Sequence, residues 1–405
     1  MSKVHEHPLA NNPAIKNFRK YLQIKSVQPN PDYGSCVVFF TEQAKELGLP
    51  IKVYEFVKGK PIIVISWIGI NPNLPSILLN GHMDVVPVVE SEWKYDPFAA
   101  EIDKNGNIYA RGAQDMKCVS IQYLEAIRYL KQNGVKLRRT VHISFVPDEE
   151  LHSADGMALF VKSKEFKDLN VGFSLDEGGP TPNKEYVVTN GERVCWTLEI
   201  VCHGNTGHGL MLIPNTAAEK VQYLLNKFLG YREESRKKMK HPHPFYDLGN
   251  VTSVNLTNIK GGVQSNVIPS KITMEFDCRV TPNDAVTFDA LVKQWCQEAG
   301  GDSVTYKYIS KDPVLPITKT DDSNPFWKAF ENVFKKRNDK LILSICPAAS
   351  DGRFLRGIGI PVLGTSPMPG TPFLLHDHNE FLNAQTFLDG IELYKELIPA
   401  IANVE

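Results

Sequence analysis

Ser76-Ile-Leu-Leu-Asn-Gly-His-Met-Asp84 is a short apolar run that ends abruptly in polar residues, and two further runs in the first half of the chain, Thr140–Val146 and Val171–Leu175, end the same way. Pro61–Trp67, Thr140–Val146 and Val171–Leu175 share its richness in Ile, Val, Leu and Phe and read as buried or half-buried strands. Between them, Lys117–Lys131 carries Ile121, Leu124, Ile127 and Leu130 at helical spacing and stops at Asn133-Gly134. Strands alternating with helices predict an α/β layer architecture around a largely parallel or mixed sheet. Ligands of such sheets bind beyond the carboxyl ends of the strands, so the polar tails carry the functional question.

Working outward, the pattern changes after about residue 190. Val194–Cys202, Val251–Ile259 and Ile272–Val280 read as strands, and Thr216–Phe228 and Thr287–Ala299 as helices. This βαββα order predicts a compact α+β unit with its own core. Arg232–Lys240 and His241-Pro-His-Pro244 read as a solvated loop. From about residue 312 the α/β character returns, with a helix at Asn324–Lys336, a strand at Ile360–Leu363 and a closing helix at Phe387–Ile398. The expected organisation is therefore a catalytic domain of residues 1–190 and 312–405 interrupted by an inserted domain of residues 191–311.

The 405 residues carry 45 Lys+Arg against 46 Asp+Glu, a net charge of −1, which argues against a nucleic-acid partner. The longest nearly unbroken apolar stretch, Pro61–Ile70, is far below the roughly 18–20 residues of a membrane span. The first eight residues contain no apolar core, so a signal peptide is not expected. Without secretion the sequons Asn250-Val-Thr252 and Asn255-Leu-Thr257 have no role. Seven scattered cysteines without a C-x-x-C pair fit reduced thiols and a cytoplasmic location.

Each polar tail has an ordinary reading. His82 and Asp84, two apart in an extended chain, are either a hydrogen-bonded strand end or a metal ligand with an orienting carboxylate on its second ring nitrogen. Asp115, just before a helix, is by default a cap. Asp148-Glu149-Glu150 and Asp176-Glu177 are by default polar turns. Successive strand ends that all deliver His, Asp or Glu make independent accidents improbable, and Leu374-Leu-His-Asp-His-Asn-Glu380 supplies a second histidine, His376. Nitrogen and oxygen ligands favour Zn²⁺, with Co²⁺ or Mn²⁺ as substitutes. Three carboxylates offset most of the charge of two such ions if one bridges them at roughly 3.5–4 Å. Nucleophilic hydrolases are poorly supported. There is no G-x-S-x-G, and Cys202 and His203 are adjacent in a strand, where side chains diverge. His142 reads as a packed or surface strand residue rather than a ligand, and Asp351 with Arg353 as an ion pair that either lines the site or, the favoured reading, is structural.

These motifs resemble the aminoacylase branch of the M20 metallohydrolases. The resemblance runs from about residue 13 to 400 and rests on Ile77–Pro87, Ile108–Ala126, Phe145–Glu150, Leu175–Gly178, Asn266–Pro269, Asp277–Val280 and Leu374–Glu380. It implies a zinc-hydrolase domain with a mixed central sheet and an inserted ferredoxin-like lid that dimerises. It further implies two Zn²⁺ per chain: His82, Asp115 and Glu177 hold one, Asp115, Glu150 and His376 the other, with Asp115 bridging. Glu149 is then the general acid/base, Asp84 the support of His82, and Arg279 and Asn266 the holders of the substrate carboxylate. His208, in Gly207-His208, reaches across a homodimer to stabilise the oxyanion. The implied reaction hydrolyses N-acyl-L-amino acids to a carboxylate and a free amino acid. An M20 dipeptidase and a metal-dead binding homologue are the alternatives. Two segments depart from the family pattern. Leu151-His-Ser-Ala-Asp155 replaces a Gly-Gly pair, and Thr206-Gly-His-Gly-Leu210 replaces a Pro-Gly-His-Ala-Ser-like stretch.

Overall fold

The computed structural model describes residues 7–240 and 244–405, the side chains of 244 and 245 excepted. By its contacts the chain divides into two units, one of Met1–Asn190, Ile317–Leu343 and Ser350–Glu405, the other of Gly191–Pro316 and Ser344–Ala349.

The first unit is built on an eight-stranded sheet. Its order is Ile51–Val57, Lys60–Trp67, Val141–Val146, Ser76–His82, Val171–Asp176, Val362–Gly364, Glu185–Glu192, Lys340–Cys346. Ser76–His82 runs parallel to both of its neighbours, and Val362–Gly364 runs parallel to Val171–Asp176. The flanking pairings are antiparallel, so the sheet is mixed. Every residue of Ser76–His82 and Val141–Val146 is buried, as expected of central strands covered on both faces. Alternate side chains feed two cores. Ile63, Ile65, Ile77, Leu79, Ile143 and Phe145 pack under the helices Pro13–Leu22, Tyr33–Leu47, Lys117–Gln132 and Ala384–Ala402. Ile62, Val64, Leu78 and Val146 pack against Met157, Phe160 and Leu355 on the other face. Because the three central strands are parallel, their carboxyl ends emerge on one edge, where His82 pairs in register with Val146.

The second unit is a four-stranded antiparallel sheet ordered Ser253–Gly261, Lys271–Val280, Val194–His203, Val304–Lys311. This is a ferredoxin-like arrangement, its first strand lying between the third and fourth. Val194–His203 alternates buried and partly buried residues, and its buried side, Trp196, Leu198 and Ile200, meets Leu224, Phe228, Phe288 and Val292 of two helices.

The helix expected to end at Phe228 spans Ala217–Lys238, so Arg232–Lys238 is helical. Ion pairs one turn apart, Arg236 with Glu233 at 2.8 Å and Lys237 with Glu234 at 2.9 Å, support that exposed extension. Residues 241–243 of the expected loop lie outside the described residues. The edge strand Val304–Lys311 and the strands Ile51–Val57, Glu185–Glu192 and Lys340–Cys346 have no counterpart among the strands expected from the sequence.

Candidate metal centre

At the carboxyl edge of the central sheet five side chains converge. His82 Nε2 lies 3.1 Å from Asp115 Oδ1 and 3.4 Å from Glu177 Oε2. His376 Nε2 lies 3.2 Å from Asp115 Oδ2 and 3.0 Å from Glu150 Oε2. Asp115 thus turns one oxygen to each imidazole. Donor atoms of His82, Glu149 and Glu177 fall within 4.8 Å of one another, as do those of His82, Asp115 and Glu150. Asp115 is not a helix cap. The helix Lys117–Gln132 begins after Met116 with no side-chain cap, which leaves the Asp115 carboxylate to the cluster.

The electrostatics follow from crowding four carboxyl groups around two imidazoles. Burial, followed by the charge of Glu177, pushes the Glu149 carboxyl well above its usual range. Burial and Asp115 push Glu150 and Glu177 up in the same way. His376 is raised to about 10 by its hydrogen bonds to Asp115 and Glu150. Burial opposes a charge on His82, but Glu177 and Asp115 outweigh it and hold its pKa well up. Carboxylates gathered at a cost in mutual repulsion, with imidazole nitrogens between them, are a donor set that fits divalent cations.

The structure revises the part played by Asp84. The Nδ1 of His82 meets the main-chain carbonyl of Asp84 at 2.9 Å, while the nearer carboxylate oxygen stands at 3.7 Å. The carboxylate accepts instead from the main-chain N–H of Glu149 at 3.1 Å, the N–H of Glu150 at 3.2 Å and Gln28 Nε2 at 2.9 Å. Asp84 therefore positions both glutamates, and its carbonyl orients His82. Just before them, Asp148 adopts a left-handed φ of 61°, rare for a residue with a side chain. It is held by Tyr33 Oη at 2.7 Å, Gln28 Nε2 at 3.1 Å and an ion pair with Lys60. Tyr33, Gln28 and Lys60 escaped the sequence reading, because nothing in their own neighbourhood marks them. The only signal was that a third buried acid beside Glu149 and Glu150 must find donors.

His376 and His378 are both exposed, and of the two it is His376 whose Nε2 meets the cluster. Asp351 and Arg353 do not serve as each other's partners as expected. Asp351 accepts from Ser153 Oγ at 2.6 Å and Asn80 Nδ2 at 3.1 Å, whereas Arg353 donates to the carbonyl of His152 at 2.8 Å. His142 bonds to Ser66 across the sheet at 2.8 Å, away from the cluster.

The remaining candidates belong to the second unit. His208 is exposed, and its Nδ1 accepts from the N–H of Leu210 at 3.2 Å. Asn266 accepts from Gln264 at 2.8 Å. Arg279 makes a two-point pair with Asp277 at 2.8 and 2.9 Å and lines a recess of about 410 Å³ together with Arg193 and Arg232.

Comparison with known proteins places this arrangement in a class. Residues 78–400 match the model of peptidase family M20/M25/M40. The chain belongs to that family, whose fold it shares with solved members. An M20 family metallo-carboxypeptidase from Sulfolobus solfataricus superposes with a TM-score of 0.66 at 19% identity, covering 96% of this chain and 99% of that one. Bacillus subtilis YXEP, described as a dinuclear metal-binding peptidase from the M20 family, gives 0.63 at 18% identity, covering 97% and 98%. Within the family the chain is much nearer to one kind of member. It is 48% identical to Aminoacylase-1 of Mus musculus over 398 residues, 98% of this chain and 97% of that one. It is 43% identical to Aminoacylase-1 of Dictyostelium discoideum, covering 98% and 99%. No helix among the described residues is long and apolar enough to cross a membrane.

Proposed function

We propose that this protein is a zinc-dependent amidohydrolase that cleaves N-acyl-L-amino acids to a carboxylate and a free L-amino acid. The observation that carries the reading is the convergence of His82, Asp115, Glu149, Glu150, Glu177 and His376, in a chain nearly half identical to aminoacylase-1. In this reading His82, Asp115 and Glu177 hold one zinc ion, Asp115, Glu150 and His376 a second, and Asp115 is shared. Bound zinc supplies Lewis-acid chemistry, polarising the acyl carbonyl and acidifying water. Glu149 takes the proton of the attacking water and returns it to the nitrogen as the C–N bond breaks. Asp84 fixes where the Glu149 carboxylate stands by accepting the main-chain N–H groups of Glu149 and Glu150.

The first unit is the catalytic domain and the second the lid, which also dimerises. Its fully exposed Leu212, beside exposed Leu210 and Met211, supports an interface next to His208. His208 serves the partner's site as oxyanion donor. Arg279 and Asn266 hold the amino-acid carboxylate, Arg279 through a charge-assisted bond, and the arginine-lined recess around it favours an anion. Seven cysteines with no C-x-x-C pair among them support a cytoplasmic location. A panel of N-acetyl amino acids, N-lauroyl amino acids and free-amine dipeptides, assayed on zinc-loaded protein, tests the reading. N-acyl substrates should be turned over far faster, and preference for free-amine dipeptides would overturn it.

A further inference from the structure

Glu380 is completely buried, and none of the steps above uses it. Its carboxylate accepts from Arg111 Nη1 at 2.8 Å and from three main-chain N–H groups, those of Gly112 at 3.0 Å, Gln114 at 2.6 Å and Asp115 at 3.2 Å. Successive N–H groups wrapped around one anion form a nest, and each bond is charge-assisted. The nest requires the sharp turn at Gly112, where φ is 86° and an added Cβ would stand 2.8 Å from Val85. Below it, the strands Asn107–Tyr109 and Phe381–Asn383 pair antiparallel, and the N–H of Ala110 extends that ladder to the carbonyl of Glu380.

Gln114 closes the other side. Its amide donates to the carbonyls of Pro372 at 3.1 Å and Phe381 at 2.8 Å and accepts from the N–H of Leu374 at 3.0 Å. The segment carrying Asp115 and the segment carrying His376 are thus stitched together across more than 250 residues of chain. The gap between Asp115 Oδ2 and His376 Nε2, 3.2 Å, lies just beyond the stitches.

We infer that Glu380 and Gln114 are positioning residues that set the distance between Asp115 and His376 and thereby the affinity of the metal site those two share. The inference rests on the reading that this cluster binds metal. Its mechanism is preorganisation: neither side chain touches the ion, but without them two independent loops must be ordered when it binds. Glu380→Gln turns an amide NH₂ towards N–H groups and leaves the Arg111 guanidinium without a counter-charge. Gln114→Met keeps the size of the side chain and removes three hydrogen bonds without removing a charge.

The test titrates the metal-free full-length chain with zinc against a chelating indicator, alongside thermal melting of the metal-free proteins. Wild type should take up zinc, and each variant should lose about 10–100-fold in affinity for one of the sites, the usual effect of removing a partner of a ligand. The kcat of each variant should fall at limiting zinc and recover in excess, with KM unchanged. A folded variant that melts differently but binds zinc with wild-type affinity would reduce these residues to structural supports and overturn the inference. If Glu380→Gln fails to fold, Gln114→Met decides by the same criterion. A wild-type chain that binds no zinc would overturn the metal reading itself, and the inference with it.

Discussion

Glu149 and Glu150 are consecutive residues with different tasks, and the difference is set by which way each side chain leaves the turn. Glu150 points to His376 Nε2 at 3.0 Å, whereas Glu149 shares a donor cluster with His82 and Glu177. Glu149→Gln keeps size and polarity but cannot accept a proton. It should lower kcat by about 10²–10⁴, the usual worth of a general base, with zinc stoichiometry unchanged. Glu150→Gln should instead lower zinc affinity. Metal analysis beside steady-state kinetics separates the two, and equal zinc loss in both variants would show that the roles are wrongly divided. The main-chain N–H groups of both glutamates end on Asp84, so the turn itself is fixed independently of either carboxylate.

The central strand Val141–Val146 shows what an element imposes on a residue it carries. His142 stands opposite Ser66 on the neighbouring strand, its Nδ1 2.8 Å from the serine hydroxyl, and burial lowers its pKa to about 4. In the unfolded chain the ring takes a proton near pH 6.5, in the folded chain only near pH 4. Between those values the unfolded state binds the extra proton, so this contribution to stability is complete above pH 6.5 and lost as the pH falls towards 4. On going from pH 7 to pH 5 the wild type should lose about 2 kcal/mol more stability than His142→Gln by urea denaturation. Equal losses would show that the strand does not keep the imidazole neutral. Such central strands were legible in the sequence because their apolar runs are unbroken and stop at polar ends that mark the site. The edge strand Val304–Lys311 was not, since its exposed side carries Thr305, Lys307 and Ser310 and a bulge between Tyr308 and Ser310 breaks its alternation, so that polar edge residues hide it from a search for apolar runs. The helix Ala217–Lys238 lost its periodicity past Phe228 for a related reason: Arg232–Lys238 is charged or polar on every side, and its buried residue, Ser235, is polar and leaves no apolar stripe to read. Asp84 was found, but its partners were not, because contacts to main-chain N–H groups leave no trace in side-chain identity.

For the whole molecule the sharpest question is whether a site is completed by a second chain. Homodimers of Glu149→Ala and of His208→Ala should both be inactive, the first for want of a base, the second for want of an oxyanion donor. Subunit exchange between them makes about half of the dimers mixed, each with one intact site of two, so roughly a quarter of wild-type activity should return. No recovery, with mixed dimers confirmed by mass spectrometry, would show that His208 does not act across subunits. The order of strands in the large sheet has a consequence for how the protein is made. Val362–Gly364, among the last strands to leave the ribosome, lies between Val171–Asp176 and Glu185–Glu192, which emerge far earlier. Until it arrives, those two strands face each other across an empty slot with their main-chain groups unpaired, a template for pairing with other chains. A nascent chain of this protein therefore carries an adhesive interior edge from the time Glu185–Glu192 is made until Val362–Gly364 follows, and its survival depends on whatever shields that slot in the interval.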